Sequence, residues 1–234
     1  MSTFYKILTF LCAISTSPFL KGQSTTFQKS YPNEFNSTIE FYKENKSKFT
    51  DIDKHLGPEF IFSIVAPELS QYGVISDLAQ TYSLKVMYVQ GGKDYSDFSI
   101  GYFQMKPSFI ERLETEIVSN NYLNKQFGFC LFQDPENREA RVTRIERLEQ
   151  LDWQITYLKI FLEIMKQRTA TISFQNNTEK LKYFSTAYNL GFEKSKIQIE
   201  NNLYSKQFPH FGSLRFNYSE VSIEFYDHLK NKWQ

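Results

Sequence analysis

One carboxylate stands out in this chain of 234 residues. Glu68 follows the apolar segment Phe60-Ile61-Phe62-Ser63-Ile64-Val65-Ala66, with Pro67 between. A carboxyl at the edge of apolar packing resists ionisation, because burial penalises the charged form, and a carboxyl still protonated near neutrality is what acid-catalysed cleavage of a sugar bond requires. Other chemistries find little support. His55, His210 and His228 are scattered, with no HExxH and no paired Cys/His spacing, so no zinc site is indicated and each histidine is read as a surface or capping residue. Cys130 sits in a Phe-rich run without GxSxG or another nucleophile motif, and is read as a core thiol. Neither GxGxxG nor GxxxxGK[ST] occurs, and Gly91-Gly92-Lys93-Asp94 reads as a turn, not a phosphate cradle.

The elements that must position Glu68 follow from periodicity. Ser37 with Glu40 three residues later forms a capping-box pattern and predicts a short helix through about Phe49. Gly57-Pro58 opens a second helix carrying Ile61, Ile64 and Val65, and Pro67, which lacks the N–H for the preceding turn, is expected to kink or end it, leaving Glu68 at a distorted helix end. A helix is expected from Ser76 to about Met87, then a small hairpin or ordered loop between Tyr88-Val89 and Phe98-Ile100, then a helix from Pro107 to Ser119. Residues 120–135 read as a connecting segment, helix and strand being equally open there. Val142, Ile145, Leu148, Leu151, Ile155, Leu158, Leu162 and Met165 recur every three or four positions and predict one long core helix from Glu136 to Arg168. Further helices are expected over Thr178–Asn189, capped by Gly191, over Glu193–Leu203 and over Ser219–Lys230.

Composition agrees with one globular, mainly helical unit. The first residues, with a Lys, the apolar run Ile7 to Ile14 and then small and polar residues, have the layout of a secretory signal peptide ending near Gly22 or Gln23, the run being too short to cross a bilayer. Cys12 lies inside that run, leaving Cys130 as the single mature cysteine and no intrachain disulfide. Removal of the leader takes away Lys6 and Lys21 and no acid, leaving 25 basic residues against 26 acidic and a net charge of −1. A near-neutral domain has no electrostatic footprint for nucleic acid. The expected organisation is a leader over 1–23, an N-terminal extension with a packed short helix over 24–56, and a domain over 57–234.

Four segments, in order, resemble the lysozyme-like domain of soluble lytic transglycosylases, relatives of goose-type lysozymes. Phe62-Ser63-Ile64-Val65-Ala66-Pro67-Glu68 is similar to the family's apolar helix ending in Glu-Ser, and Ser99-Ile100-Gly101-Tyr102-Phe103-Gln104-Met105-Lys106-Pro107 to its Gly-x-Met-Gln-x-x-Pro block. Leu151-Asp152-Trp153-Gln154-Ile155-Thr156-Tyr157-Leu158 resembles the Asn-Ile-x-x-Gly-x-x-Tyr-Leu segment, and Thr186-Ala187-Tyr188-Asn189-Leu190-Gly191 the Ala-Tyr-Asn-x-Gly block. The resemblance implies a mainly α, lysozyme-like α+β fold with at most a small β-hairpin, and cleavage of peptidoglycan glycan strands between N-acetylmuramic acid and N-acetylglucosamine without a cofactor or metal. Glu68 would act as acid and then base, Tyr188 would hydrogen-bond and orient it, Asn189 would contact sugar, and Gln104 with the backbone near Phe103 and Met105 would line the groove.

The chain departs from the family in three places. Leu69, not Ser, follows Glu68; Pro67 precedes it; and Gly101 comes 33 residues later, a longer spacing than the common form. The insert carries Asp94 and Asp97, reminiscent of goose-type lysozymes, in which acids of this region position a water; a second carboxylate would give inverting hydrolysis in place of an anhydro product. Both aspartates also suit plain turn positions. A third expectation, from the altered Pro-Glu-Leu context, is a non-catalytic lysozyme-fold protein that binds glycan or forms part of an envelope assembly.

Overall fold

A computed structural model of the chain describes residues 25–73 and 78–232. The leader expected over residues 1–23 lies outside the described residues. Helices α1 (Phe27–Ser30), α2 (Pro32–Thr50), α3 (Pro58–Tyr72), α4 (Leu78–Gly91), α5 (Pro107–Ser119), α6 (Asn121–Phe127), α7 (Arg138–Leu148), α8 (Leu151–Arg168), α9 (Asn177–Leu190), α10 (Lys196–Asn202) and α11 (Tyr218–Lys232) follow in order. Strands β1 (Lys206–Phe208) and β2 (Phe216–Asn217), between α10 and α11, form a two-stranded antiparallel sheet, and a 3-10 turn spans Gly128–Cys130. The fold is therefore mainly helical. Pro32, Pro58 and Pro107 each open a helix, where the missing N–H costs no hydrogen bond and the fixed φ favours the first turn.

At the centre is α3, buried on every side from Phe60 to Pro67 and apolar there except for Ser63, as a helix enclosed by others must be. It packs against α2, α9 and α11. α3 does not end at Pro67 but runs through it to Tyr72. An interior proline costs about 3 kcal/mol. Phe60, Ile61, Phe62, Ile64 and Val65 are all completely buried, at roughly 2 kcal/mol each, so continuing the packed helix is favoured. The core extends without interruption into α1 and α2: Phe35 stacks on Phe225 at 4.4 Å, and Phe49 meets Phe62 at 5.3 Å.

Two other expectations are corrected, and two that were open are resolved. The helix expected from Ser37 begins at Pro32, and Ser37 lies inside it with Oγ donating to the Glu34 carbonyl at 3.1 Å. Tyr88 and Val89 belong to α4, which runs on to Gly91, and the chain from there to Ile100 is a loop, the second of the two expected alternatives, while the sheet lies near the C-terminus. The connecting segment contains α6, whose N-cap Asn120 accepts from the Tyr122 and Leu123 N–H groups. The single helix expected from Glu136 to Arg168 is two, α7 and α8, separated at Glu149-Gln150, so the domain is organised around α3 and not around one long helix. The apolar period survives a two-residue break because both helices turn the same residues inward.

That break has a structural use. Gln154, completely buried in the first turn of α8, donates from Nε2 to the Leu148 carbonyl at the end of α7, and its Oε1 accepts the Phe103 N–H at 2.7 Å. The side chain thus joins α7, α8 and the loop that precedes α5. Gly101 in that loop has φ +72° and sits so close that an added Cβ would lie 1.6 Å from Gln154 Nε2. Ile100 and Met105 exchange backbone hydrogen bonds of 2.9 and 3.1 Å, closing a tight turn in which Gln104 takes φ +48°.

Candidate functional site

The turn 100–105, the C-terminal half of α3, the start of α5 and the end of α9 surround an open cleft of about 970 Å3, at the upper end of the range usual for ligand sites. Glu68, Gln104, Met105, Tyr188 and Asn189 all line it. Residues from positions 68 to 189 are brought together because α3 and α9 pack side by side while Gln154 holds the turn against α8.

Glu68 is part-buried on α3, one turn before its end. Burial pushes its carboxyl up to about 7, against the opposing pull of the Gln71 amide and the nearby Lys106 ammonium. At neutral pH it is held close to half protonated, so the same group has both a proton to give and a lone pair to receive one. Gln71 Nε2 donates to Glu68 Oε2 at 2.5 Å.

Two buried tyrosines flank Glu68. The Tyr188 hydroxyl donates to the Phe103 carbonyl at 2.8 Å rather than to Glu68. Its one proton is committed there, so toward the carboxyl Tyr188 offers only oxygen lone pairs. The Tyr218 hydroxyl, from α11, donates to the Ile64 carbonyl at 3.1 Å, one helical turn before Glu68. Burial first, and the Glu68 charge second, hold both phenols well above their ordinary range, so both remain neutral. Phe103 does not reach the cleft: its ring is completely buried beside Phe49 at 6.2 Å, and it contributes through its backbone. Gln104 donates from Nε2 to the Gly101 carbonyl at 2.8 Å, bracing the turn, and Asn189 is exposed on the cleft wall.

The other carboxylates are engaged elsewhere. Asp97 lines the cleft, but its Oδ1 accepts the Ser108 N–H at 3.0 Å and its Oδ2 the Ser108 hydroxyl at 2.8 Å, which caps the start of α5. Asp94 is exposed in the turn after α4 and is not among the residues around the cleft. Glu149 pairs with Lys85, and Glu193 with Arg112 at 3.3 Å and Lys194 at 3.4 Å; these pairs line the same opening.

Several members of the site escaped sequence reasoning. Gln71 was detectable, since it lies three residues after Glu68 and therefore on the same helical face. Tyr218, Lys106 and Gln154 carry no local signal that points to Glu68. His210, read from sequence as a surface or capping residue, lines the cleft, and its backbone N–H donates to Gln71 Oε1 at 3.3 Å. His55 is exposed, and His228 stands 5.2 Å from the Phe35 ring. Cys130 is buried with its thiol pushed up to about 11 by desolvation, which makes it inert. Among the described residues, no three His, Cys, Asp or Glu side chains gather as a metal would require, and no helix is long and apolar enough to cross a membrane.

Comparison of the chain with models of known families, with curated proteins and with solved structures returns no match.

Proposed function

We propose that this protein is an exported peptidoglycan-cleaving glycosidase of the lytic transglycosylase kind, with Glu68 as its single catalytic carboxyl. The observation that carries the reading is the meeting, in one open cleft, of an acid poised near neutrality with Gln104, Tyr188 and Asn189 from distant parts of the chain. In this mechanism the protonated Glu68 gives its proton to the glycosidic oxygen as the bond from C1 breaks. The resulting carboxylate then takes the proton of the sugar's own 6-hydroxyl while that oxygen closes on C1, leaving an anhydro ring and a reprotonated Glu68. Gln104 and Asn189 hold the sugar, and Tyr188 keeps the Phe103 backbone in place beneath it.

The commitment of Asp97, Glu149 and Glu193 to other partners favours one carboxylate over two. An inverting hydrolase requires a second, free carboxylate with room for a water between the pair. Digestion of purified peptidoglycan by the wild type and by Glu68→Gln, with products resolved by mass spectrometry, tests the proposal. Anhydro-terminated fragments from the wild type and none from the variant are expected. Reducing ends would favour hydrolysis instead, and equal activity in both proteins would remove Glu68 from its role and leave a glycan-binding or structural function.

A further inference from the structure

We infer that Gln71 is a positioning residue for Glu68, its amide locked by the His210 backbone so that the acidic proton resides on Oε1, the carboxyl oxygen that Gln71 leaves free. The inference deepens the proposed activity and rests on it for its catalytic consequence. It begins with an asymmetry of donors. A backbone N–H only donates, so the Gln71 atom 3.3 Å from the His210 nitrogen must be the amide oxygen. That fixes the orientation of the amide, which would otherwise be ambiguous, and turns Nε2 toward Glu68 at 2.5 Å. An amide N–H also only donates, so Glu68 Oε2 accepts from it, and because a carbonyl oxygen is a better acceptor than a carboxylic hydroxyl, the neutral carboxyl favours its proton on Oε1.

Three features make the lock effective. Gln71 is only 3% exposed although it lines the cleft, so little of its amide is open to water. It lies one turn along the same helix, so its distance to Glu68 is set by helical geometry. His210 lies between β1 and β2, next to Phe208 and Pro209, which are both buried. The groups that act electrostatically on Glu68 are Lys106 before α5, Tyr188 of α9 and Tyr218 of α11; His210 reaches it through Gln71. Of these Lys106 is a cation and the tyrosines are neutral throughout the working range; the Gln71 amide supplies the hydrogen bond that Glu68 Oε2 accepts.

The test is a 13C NMR titration of the Glu68 carboxyl in the wild type and in Gln71→Met, assigned with Glu68→Gln and accompanied by the wild-type Gln71 side-chain amide signals. A donor to the ionised form lowers its pKa, so its removal in Gln71→Met is expected to raise the Glu68 midpoint by about one pH unit. In the wild type the Gln71 amide protons are expected to shift with the same midpoint as Glu68. This second measurement needs no variant to fold. An unchanged midpoint in Gln71→Met, or amide protons that do not follow Glu68, overturns the inference. On peptidoglycan, Gln71→Met should lower kcat about tenfold with KM unchanged and move the alkaline limb upward with the titration. If the wild type cleaves no peptidoglycan, the proposed activity falls while the titration still decides the role of Gln71.

Discussion

Replacing Glu68 by Gln should make the protein more stable in mildly alkaline solution while abolishing its proposed chemistry. The carboxyl titrates at about 7 in the folded chain against an ordinary 4.5. The folded state therefore binds this proton more tightly than the unfolded one, and between those values stability must fall as pH rises. The contribution is fully present below the unfolded value of 4.5 and lost by the time pH passes 7. At 1.36 kcal/mol per unit the full shift is worth about 3 kcal/mol, reduced to about 2 by water entering the cleft. The substituted amide carries no charge, and its oxygen still accepts from Gln71, so the Glu68→Gln variant avoids the loss. Each kcal/mol moves Tm by about 2–4 °C in a chain of this size. Thermal unfolding followed by circular dichroism at pH 4, 6 and 8 should give nearly equal Tm values at pH 4 and a variant about 4–8 °C higher at pH 8. Parallel curves for the two proteins across that range would refute the claim that burial strains the ionised acid.

Gly101→Ala should destabilise the chain by about 2–4 kcal/mol, since it adds a Cβ at a left-handed φ and against Gln154; denaturant unfolding checks the size, and Gln154→Ala in the same chain should cost less than the sum of the two. Tyr188→Phe leaves the buried Phe103 carbonyl without its donor, at about 1–3 kcal/mol, and in a peptidoglycan digestion assay it should lower turnover by displacing the 100–105 turn. Arg144, 1% exposed, binds Glu114 through Nε at 2.9 Å and Nη2 at 2.7 Å; Arg144→Met strands that buried carboxylate and should cost about 3–5 kcal/mol, with much of the loss recovered in the Arg144→Met/Glu114→Leu double variant. The pH profile of kcat on peptidoglycan should decline above about 7, as Glu68 loses the proton it must donate.

Much of the secondary structure was legible because its causes are local. Proline at the first helical position marked α3 and α5, and Gly191, with φ +116°, ended α9 where its sequence places it. Where local rules conflicted with packing, packing prevailed. Pro67 stays inside α3 because the apolar side chains around it are all buried, a fact about neighbours and not about the dipeptide. The split between α7 and α8 was invisible for the opposite reason: the apolar period continues across it, while the cause is a buried amide bonded to a loop some fifty residues earlier.

The site divides along the same line. That Glu68 would meet apolar surroundings followed from the run before it, since a carboxyl attached to such a segment shares its burial. Gln104 and Asn189 were recognisable as residue types in ordered blocks. Only the tertiary structure decided that Asp97 serves as a helix cap and that Tyr188 gives its proton to the Phe103 carbonyl. Sequence by itself determined which groups were available and how readily each part of the chain forms a helix. Their partners depend on contacts across as many as 154 residues, as between Tyr218 and Ile64, and hydrogen-bond geometry at that range is set by the packing of whole helices.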